Sequence, residues 1–242
     1  MAARPSPLRL LGRLTGRLLD LPLPRRCLGC GARGAWVCPD CAEQLAPLPP
    51  SRCRVCAAPS SGTVVCPSCY RRPPRFDAVH AAYRHDGLAR ELVHALKYRQ
   101  CRYLAPPLAS AMVAAFAPAQ PPSVVVPVPL HPSRRAERGF NQSELLAGEV
   151  AAALGLELRD GLERVRATAS QTGLSPAERS ANVRGAFAAR LELPGAAVLL
   201  VDDVCTTGAT LGAAASALRR AGAARVEALV ATRAVNPQPV DA

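Results

Sequence analysis

The stretch from Val198 to Leu211, Val-Leu-Leu-Val-Asp-Asp-Val-Cys-Thr-Thr-Gly-Ala-Thr-Leu, constrains the fold of this chain more than any other. Four apolar residues, Val198 to Val201, form a short continuous run. Such a run suits a strand buried on both faces of a parallel sheet, whereas a half-exposed strand would alternate. The run ends in two carboxylates, Asp202 and Asp203, and a polar turn follows: Thr206, Thr207, Gly208, Ala209 and Thr210. The Ala/Leu-rich segment from Leu211 to Arg220 then reads as a helix. This order places chemistry at the carboxyl end of a strand, where open α/β sheets bind ligands. The turn can aim backbone N–H groups and hydroxyls at a phosphate over a helix N-terminus. Adjacent carboxylates repel each other and cost stability unless a ligand uses them. They suit a diol or a metal-bridged sugar, so a sugar phosphate satisfies both halves.

The segment resembles the phosphoribosyl-pyrophosphate (PRPP) motif of type I phosphoribosyltransferases. The resemblance implies an α/β fold, a parallel sheet flanked by helices. It implies that Asp202 and Asp203 hold the ribose 2- and 3-hydroxyls and serve catalysis. It implies that Thr206, Thr207, Gly208, Ala209 and Thr210 wrap the 5-phosphate. It also implies Mg²⁺, which would bridge the pyrophosphate and the ribose hydroxyls of PRPP.

A second buried strand is predicted from Ser123 to Val128. It leads into a segment crowded by Arg134, Arg135 and Arg138, with Gly139 allowing a tight turn and a helix starting near Asn141 and ending at Leu154. A basic, glycine-bearing loop between strand and helix is a second anion site, and it fits a pyrophosphate. Residues 78–84 read as a further strand, and residues 87–100 and 104–116 as helices. Ser175-Pro176-Ala177-Glu178 is a helix-start signature. The small polar residues before it, Ala167 to Gly173, suit a segment that closes over a ligand.

Eight of the ten cysteines fall in residues 27–69 as four Cys-x-x-Cys pairs: Cys27/Cys30, Cys38/Cys41, Cys53/Cys56 and Cys66/Cys69. One such turn points two thiolates at one centre, and two turns complete a tetrahedral four-cysteine zinc site. Four pairs therefore imply two structural zincs, a small double zinc-ribbon module. Sequence order assigns the first two pairs to one zinc and the last two to another; an interleaved pairing satisfies the same spacing. Disulfides would require an oxidising compartment. A thioredoxin-like redox motif would need one pair opening a helix, not four pairs in a Pro-rich segment. Trp36, between the pairs, reads as a small core anchor.

The chain of 242 residues carries a net charge of +12, and Lys97 is the one lysine among its thirty basic residues. Arginine suits bidentate phosphate contacts, and a codon bias toward arginine gives the same composition. Lys97, kept as lysine, suits a site that needs a compact point charge; chance placement gives the same result. Residues 1–75 alone carry +9, which two zinc–tetrathiolate centres, each of formal charge −2, would reduce to +5. Arg25, Arg26, Arg52, Arg54, Arg71, Arg72 and Arg75 lie beside the cysteine pairs. They either offset thiolate charge or form a nucleic-acid patch. Arg9, Arg13 and Arg17 interrupt the leucine-rich N-terminus and lie on one helical face opposite Leu11, Leu14 and Leu18. That reads as an amphipathic helix rather than a signal peptide. With no run of membrane-spanning length, stable membrane insertion is not expected and the location expected is the cytoplasm. The organisation predicted is an N-terminal helix over 1–24, a metal module over 25–75 and an α/β domain over 76–242.

Taken together, the cysteine pairs, Leu96-Lys97-Tyr98, Val126-Pro-Val-Pro129, Arg138-Gly-Phe-Asn-Gln142, Gln171, Glu178-Arg179, Asn182-Val183 and the Asp202–Thr210 motif resemble the ComF family. Those bacterial proteins are tied to natural transformation and DNA uptake or use. The resemblance implies a type I phosphoribosyltransferase fold with an N-terminal zinc domain. It also implies PRPP, single-stranded DNA and other competence proteins as partners. A phosphoribosyltransferase of unknown acceptor, a PRPP-sensing single-stranded-DNA-binding protein and a PRPP-sensing regulator all remain open. The last lacks a visible helix-turn-helix segment.

Overall fold

The computed structural model describes residues 25–60, 63–167, 178 and 182–235. The helix expected over 1–24 lies outside the described residues, as do Gln171, Arg179 and the Ser175 helix start apart from Glu178. The chain divides into two compact units, Met1–Ala42 and Glu43–Ala242.

In the first unit, an antiparallel bridge joins Arg26 to Arg33, and a one-turn helix α1 (Pro39–Ala42) follows Cys38. The second unit opens on a repeat of the same device. Arg52 bridges Pro59, and α2 (Pro67–Arg71) follows Cys66. The hydrogen bonds correspond one to one. Cys27 N–H donates to the Ala32 carbonyl and Cys53 N–H to the Ala58 carbonyl, each at 2.7 Å. The residue after each leading pair is left-handed: Gly31 at φ 77° and Ala57 at φ 56°.

The remainder of the second unit is built on a five-stranded parallel sheet. Its strands are β1 (Ala78–Arg84), β2 (Val124–Pro127), β3 (Glu157–Leu158), β6 (Ala197–Cys205) and β7 (Arg225–Arg233). Their order is β1-β7-β6-β2-β3. A separate antiparallel pair joins β4 (Leu162–Arg164) to β5 (Phe187–Ala189). The helices are α3 (Gly87–Tyr98), α4 (Ala105–Ala114), α5 (Pro132–Arg138), α6 (Gln142–Leu154) and α7 (Ala209–Arg220).

Continuous burial of β2 and of Val198–Val201 is what a sheet covered on both faces requires. Val198 and Leu200 share one buried cluster with Leu211, Leu218, Val226 and Ala228, so α7 covers that face. Leu199 and Val201 alternate to the other face, and α6 packs on β2 and β6 with Leu146 and Val150 fully buried.

Two details of the sheet position the site. Strand β2 pairs with β6 only as far as Pro127 opposite Val201. Strand β6 runs on beside β7 to Cys205 opposite Arg233. Beyond Val201, therefore, one edge of β6 is released from β2, and Asp202 and Asp203 are the first residues past that point. The acids lie within the strand, ahead of its end at Cys205, rather than in the turn after it.

Candidate sugar-phosphate site and metal centres

Both carboxylates are buried, Asp202 at 8% exposure and Asp203 at 3%. Burial of two adjacent acids is sustained by specific partners. The Ser143 hydroxyl donates to Asp202 Oδ1 at 2.8 Å, and the Asp203 backbone N–H donates to the same oxygen at 2.9 Å. Lys97 Nζ stands 2.7 Å from Asp203 Oδ2. The two acids are therefore unequal. Burial, then the neighbouring Asp203 charge, pushes the Asp202 carboxyl up to about 7, against smaller opposing pulls from Lys97, Ser143 and the backbone. Burial alone would lower Lys97, but Asp203 outweighs it and holds the ammonium charged above its ordinary range. His85, whose Nδ1 lies 2.8 Å from Thr232 Oγ1, is lowered by burial and by Lys97.

Ser143 reaches Asp202 because of how α6 begins. Asn141 caps the helix, accepting from Ser143 N–H at 3.0 Å, and its amide donates to the Val128 carbonyl just after β2 at 3.0 Å. The first turn of α6 is thus fixed beside the carboxyl ends of β2 and β6.

After β6, Gly208 sits at φ 80° and opens α7 with no side-chain cap. Thr207 Oγ1 accepts from the Ala209 N–H at 3.3 Å, and a helix start whose N-cap glycine offers no side chain is suited to an anion. A Cβ on Gly208 would stand 3.2 Å from Phe76 Cζ. Gly208→Ala is therefore strained in both backbone and packing. Calorimetry should show the melting temperature falling by several degrees, about 2–4 °C per kcal/mol. Affinity for a phosphate-bearing ligand should fall together with it.

The basic segment at 134–138 is not a loop. It folds as the helix α5, because Pro132 takes a first-turn position, His131 accepts from Ser133 N–H and Gly139 at φ 79° ends it. Arg135 pairs with Glu144, Arg138 bonds Gln142 and lies 5.0 Å from the Tyr98 ring centroid, and Arg102 lies 4.5 Å from that of Phe140. Arg134 belongs to the same helix, emerging from the carboxyl end of β2. Burial holds the Arg164 guanidinium below its ordinary range, against the pull of Asp202.

The cysteines form two clusters in sequence order: Cys27, Cys30, Cys38 and Cys41, then Cys53, Cys56, Cys66 and Cys69. Within each, all four sulfurs lie within 4.8 Å of one another. Zn–S bonds of about 2.3 Å in a tetrahedron put sulfurs roughly 3.8 Å apart, and Cys30–Cys38 and Cys56–Cys66 stand at 3.6 and 3.8 Å. In each cluster the leading sulfur accepts a backbone N–H at 3.3 Å, from Cys38 to Cys27 and from Cys66 to Cys53. Burial raises these two thiols, but the converging N–H groups win, and Cys27 falls to about 6 and Cys53 to about 7. Cys41, through its bond with Cys38, and Cys56 and Cys69, through burial, are raised instead. The fit to structural zinc therefore rests on the closed tetrahedral arrangement of four sulfurs. Trp36 is half-buried rather than a core anchor.

Its rarity as the one lysine singles out Lys97 in the sequence, but its partner Asp203 emerges only with the fold. Sequence reasoning misses Ser143, His85 and Thr232. It also misses Arg233, whose guanidinium bonds the Cys205, Thr206 and Cys56 carbonyls. The apolar run from Ala228 to Ala231 is the signal that could reveal β7, and with it Thr232 and Arg233.

The fold and site define a phosphoribosyltransferase-type α/β domain carrying a double zinc ribbon. Residues 141–239 match the phosphoribosyl transferase domain, and residues 18–70 match the double zinc ribbon domain. The chain belongs to the ComF family of competence and DNA-utilisation proteins. It is 35% identical over 221 residues to DNA utilization protein YhgH of Salmonella typhimurium, covering 86% of this chain and 96% of that protein. Competence protein ComFC of Bacillus subtilis is 29% identical over 196 residues, covering 78% and 80%. Competence protein F of Haemophilus influenzae is 37% identical over 110 residues, covering 44% and 48%. No helix among the described residues is long and apolar enough to cross a membrane.

Proposed function

We propose that this protein binds PRPP and transfers its phosphoribosyl group, in a role tied to DNA uptake or utilisation. The observation that carries the reading is the buried, unequal acidic pair at the point where β6 outruns β2. It is flanked by the glycine-led start of α7 and by the arginines of α5. Asp202 and Asp203 accept hydrogen bonds from the ribose hydroxyls. The backbone and hydroxyls of Thr206, Thr207, Gly208, Ala209 and Thr210 bind the 5-phosphate. Arg134, Arg135 and Arg138, with Gly139 ending their helix, stabilise pyrophosphate as the C1–O bond breaks and charge develops on it. The acidic pair offsets the cationic character that grows at C1.

The residues fit Mg²⁺. The carboxylates are the hard oxygen donors it takes, and a site of one or two carboxylates plus substrate phosphates is its usual surrounding. When bound, the metal supplies charge neutralisation between the ribose hydroxyls and the pyrophosphate. Titration calorimetry with PRPP, with and without Mg²⁺, tests binding. Pyrophosphate release over a panel of bases and amines tests transfer. Binding without release for any acceptor leaves a PRPP sensor and removes the enzyme.

A second reading, single-stranded-DNA binding, is favoured by one observation. Tyr70 is 81% exposed on α2, Arg71 and Arg72 follow it in sequence and are exposed, and Arg54 and Arg75 elsewhere in the module are exposed too. A bare aromatic ring in an arginine-rich module has the composition of a stacking platform on an electrostatic track. Phe76, at 4% exposure, is not available for stacking. Tyr70→Ala should weaken binding of an oligo-dT by about 1–3 kcal/mol. Affinity for DNA should fall steeply with salt, as read by fluorescence anisotropy. Affinity independent of salt would rule the reading out.

A further inference from the structure

We infer that Arg233 is a positioning residue that ties the second four-cysteine site to the phosphate turn, so that zinc held by Cys53, Cys56, Cys66 and Cys69 organises the turn for an anionic ligand. This role deepens the reading of residues 206–210 as a phosphate site and rests on it.

Arg233 closes β7 opposite Cys205 and is 6% exposed. Burying a guanidinium is costly unless its donors are used. Here they are spent on backbone carbonyls from three places. Nε donates to the Cys56 carbonyl at 2.8 Å. Nη1 donates to the Cys205 carbonyl at 3.2 Å and to that of Thr206, the first residue of the turn. It also donates to the Ala234 carbonyl at 2.5 Å. Among the described residues, no carboxylate forms an ion pair with it. One of those carbonyls belongs to Cys56, a ligand of the second four-cysteine site.

A second, independent connection runs alongside. Phe76 shares one buried cluster with Cys53, Cys56, Cys66, Cys69 and Cys205, and its ring stands against Gly208. The knuckle thus braces the turn twice, through Arg233 at Thr206 and through Phe76 at Gly208. The Cys56 carbonyl belongs to the loop that the metal closes, and four thiolates packed this closely need a cation to hold them together. Emptying the second site removes one carbonyl from Arg233, and the turn loosens.

The test uses the full-length zinc-loaded protein and the variant Arg233→Lys, which keeps the charge but cannot span three segments. Zinc per chain, hydrogen exchange at the Gly212 amide, which bonds the Gly208 carbonyl of the turn at 2.8 Å, against the amides of 146–151 in α6, and Kd for PRPP with Mg²⁺ are measured. Losing charge-assisted hydrogen bonds predicts exchange at Gly212 and Kd each rising about tenfold or more, with both zincs retained and 146–151 unchanged. A second arm strips the wild-type protein of zinc with a chelator, and Gly212 should lose protection in the same way. The chelation arm decides the matter alone if Arg233→Lys does not fold. Unchanged protection at Gly212 in either arm overturns the coupling. Failure of wild-type protein to bind PRPP or inorganic phosphate overturns the phosphate reading instead, and the exchange measurements still judge the coupling.

Discussion

Asp202→Asn and Asp203→Asn should move the stability of the ligand-free protein in opposite directions while both abolish tight binding of PRPP. Asp202 has a folded pKa raised to about 7 from an ordinary 3.8. The folded state holds a proton there that the unfolded chain has released, so stability falls as pH rises from about 4 to 7. Asparagine can still accept from Ser143 and the Asp203 N–H, and it carries no charge to desolvate. At pH 8 the variant should be more stable by about 1–3 kcal/mol, below the ceiling that ~1.4 kcal/mol for each pH unit between the two pKa values sets. Its advantage should vanish near pH 4. Asp203→Asn does the reverse, because it strands the Lys97 ammonium. Breaking a buried pair from one side costs about 3–5 kcal/mol, and the lower end applies since the Lys97 side chain is 20% exposed. Thermal melts between pH 4 and 8 separate the two. For PRPP, each acid that accepts a ribose hydroxyl is worth about 1.5–3 kcal/mol, or one to two decades in Kd. Wild-type affinity should also rise as Asp202 ionises through pH 7, and Asp202→Asn should lose that component. Equal PRPP affinity in wild type and both variants would remove the acids from the site.

How much of this is legible in the sequence depends on the range of the forces involved. Local pattern locates β1, β2, β6 and the helices α3, α4, α6 and α7, because burial on both faces or on one stripe writes itself into the order of apolar residues. Strand β7 escapes that reading, although it lies between β1 and β6 and carries Thr232 and Arg233. Its Glu227 and Arg233 interrupt the polarity pattern, and both are buried with partners that only the fold supplies. The segment at 134–138 reads as a loop because its arginines mask a proline-started, glycine-ended helix.

The site divides along the same line. The acidic pair and the turn are contiguous, so their chemistry is visible. Lys97 and Ser143 come from α3 and α6, and their convergence on two neighbouring carboxylates is a property of the sheet and not of any window of sequence. The cysteine pairs are legible in spacing but not in pairing. The repeated hydrogen bonds of the two knuckles resolve it in sequence order.

The two clusters differ in a way that spacing alone does not show, and this predicts stepwise loss of zinc. In the first, Cys30 is exposed and Cys38 half-exposed, whereas all four cysteines of the second are buried. A chelator reaches a metal through its open side, so the first zinc should leave faster than the second by about tenfold or more. For structural sites of this kind the binding free energy, about 10–16 kcal/mol, is folding free energy. Residues 25–42 bury little besides Cys27 and Cys41, so they should lose amide protection with the first zinc. The second cluster shares its buried surroundings with Phe76, Val79 and Cys205. Its release should therefore lower the melting temperature of the α/β sheet, not only unravel a ribbon. Mass spectrometry of the intact protein during chelation, paired with melting curves, follows both steps. Fewer than two zincs per chain at the start, or release of both in one step, would contradict the separation of the centres.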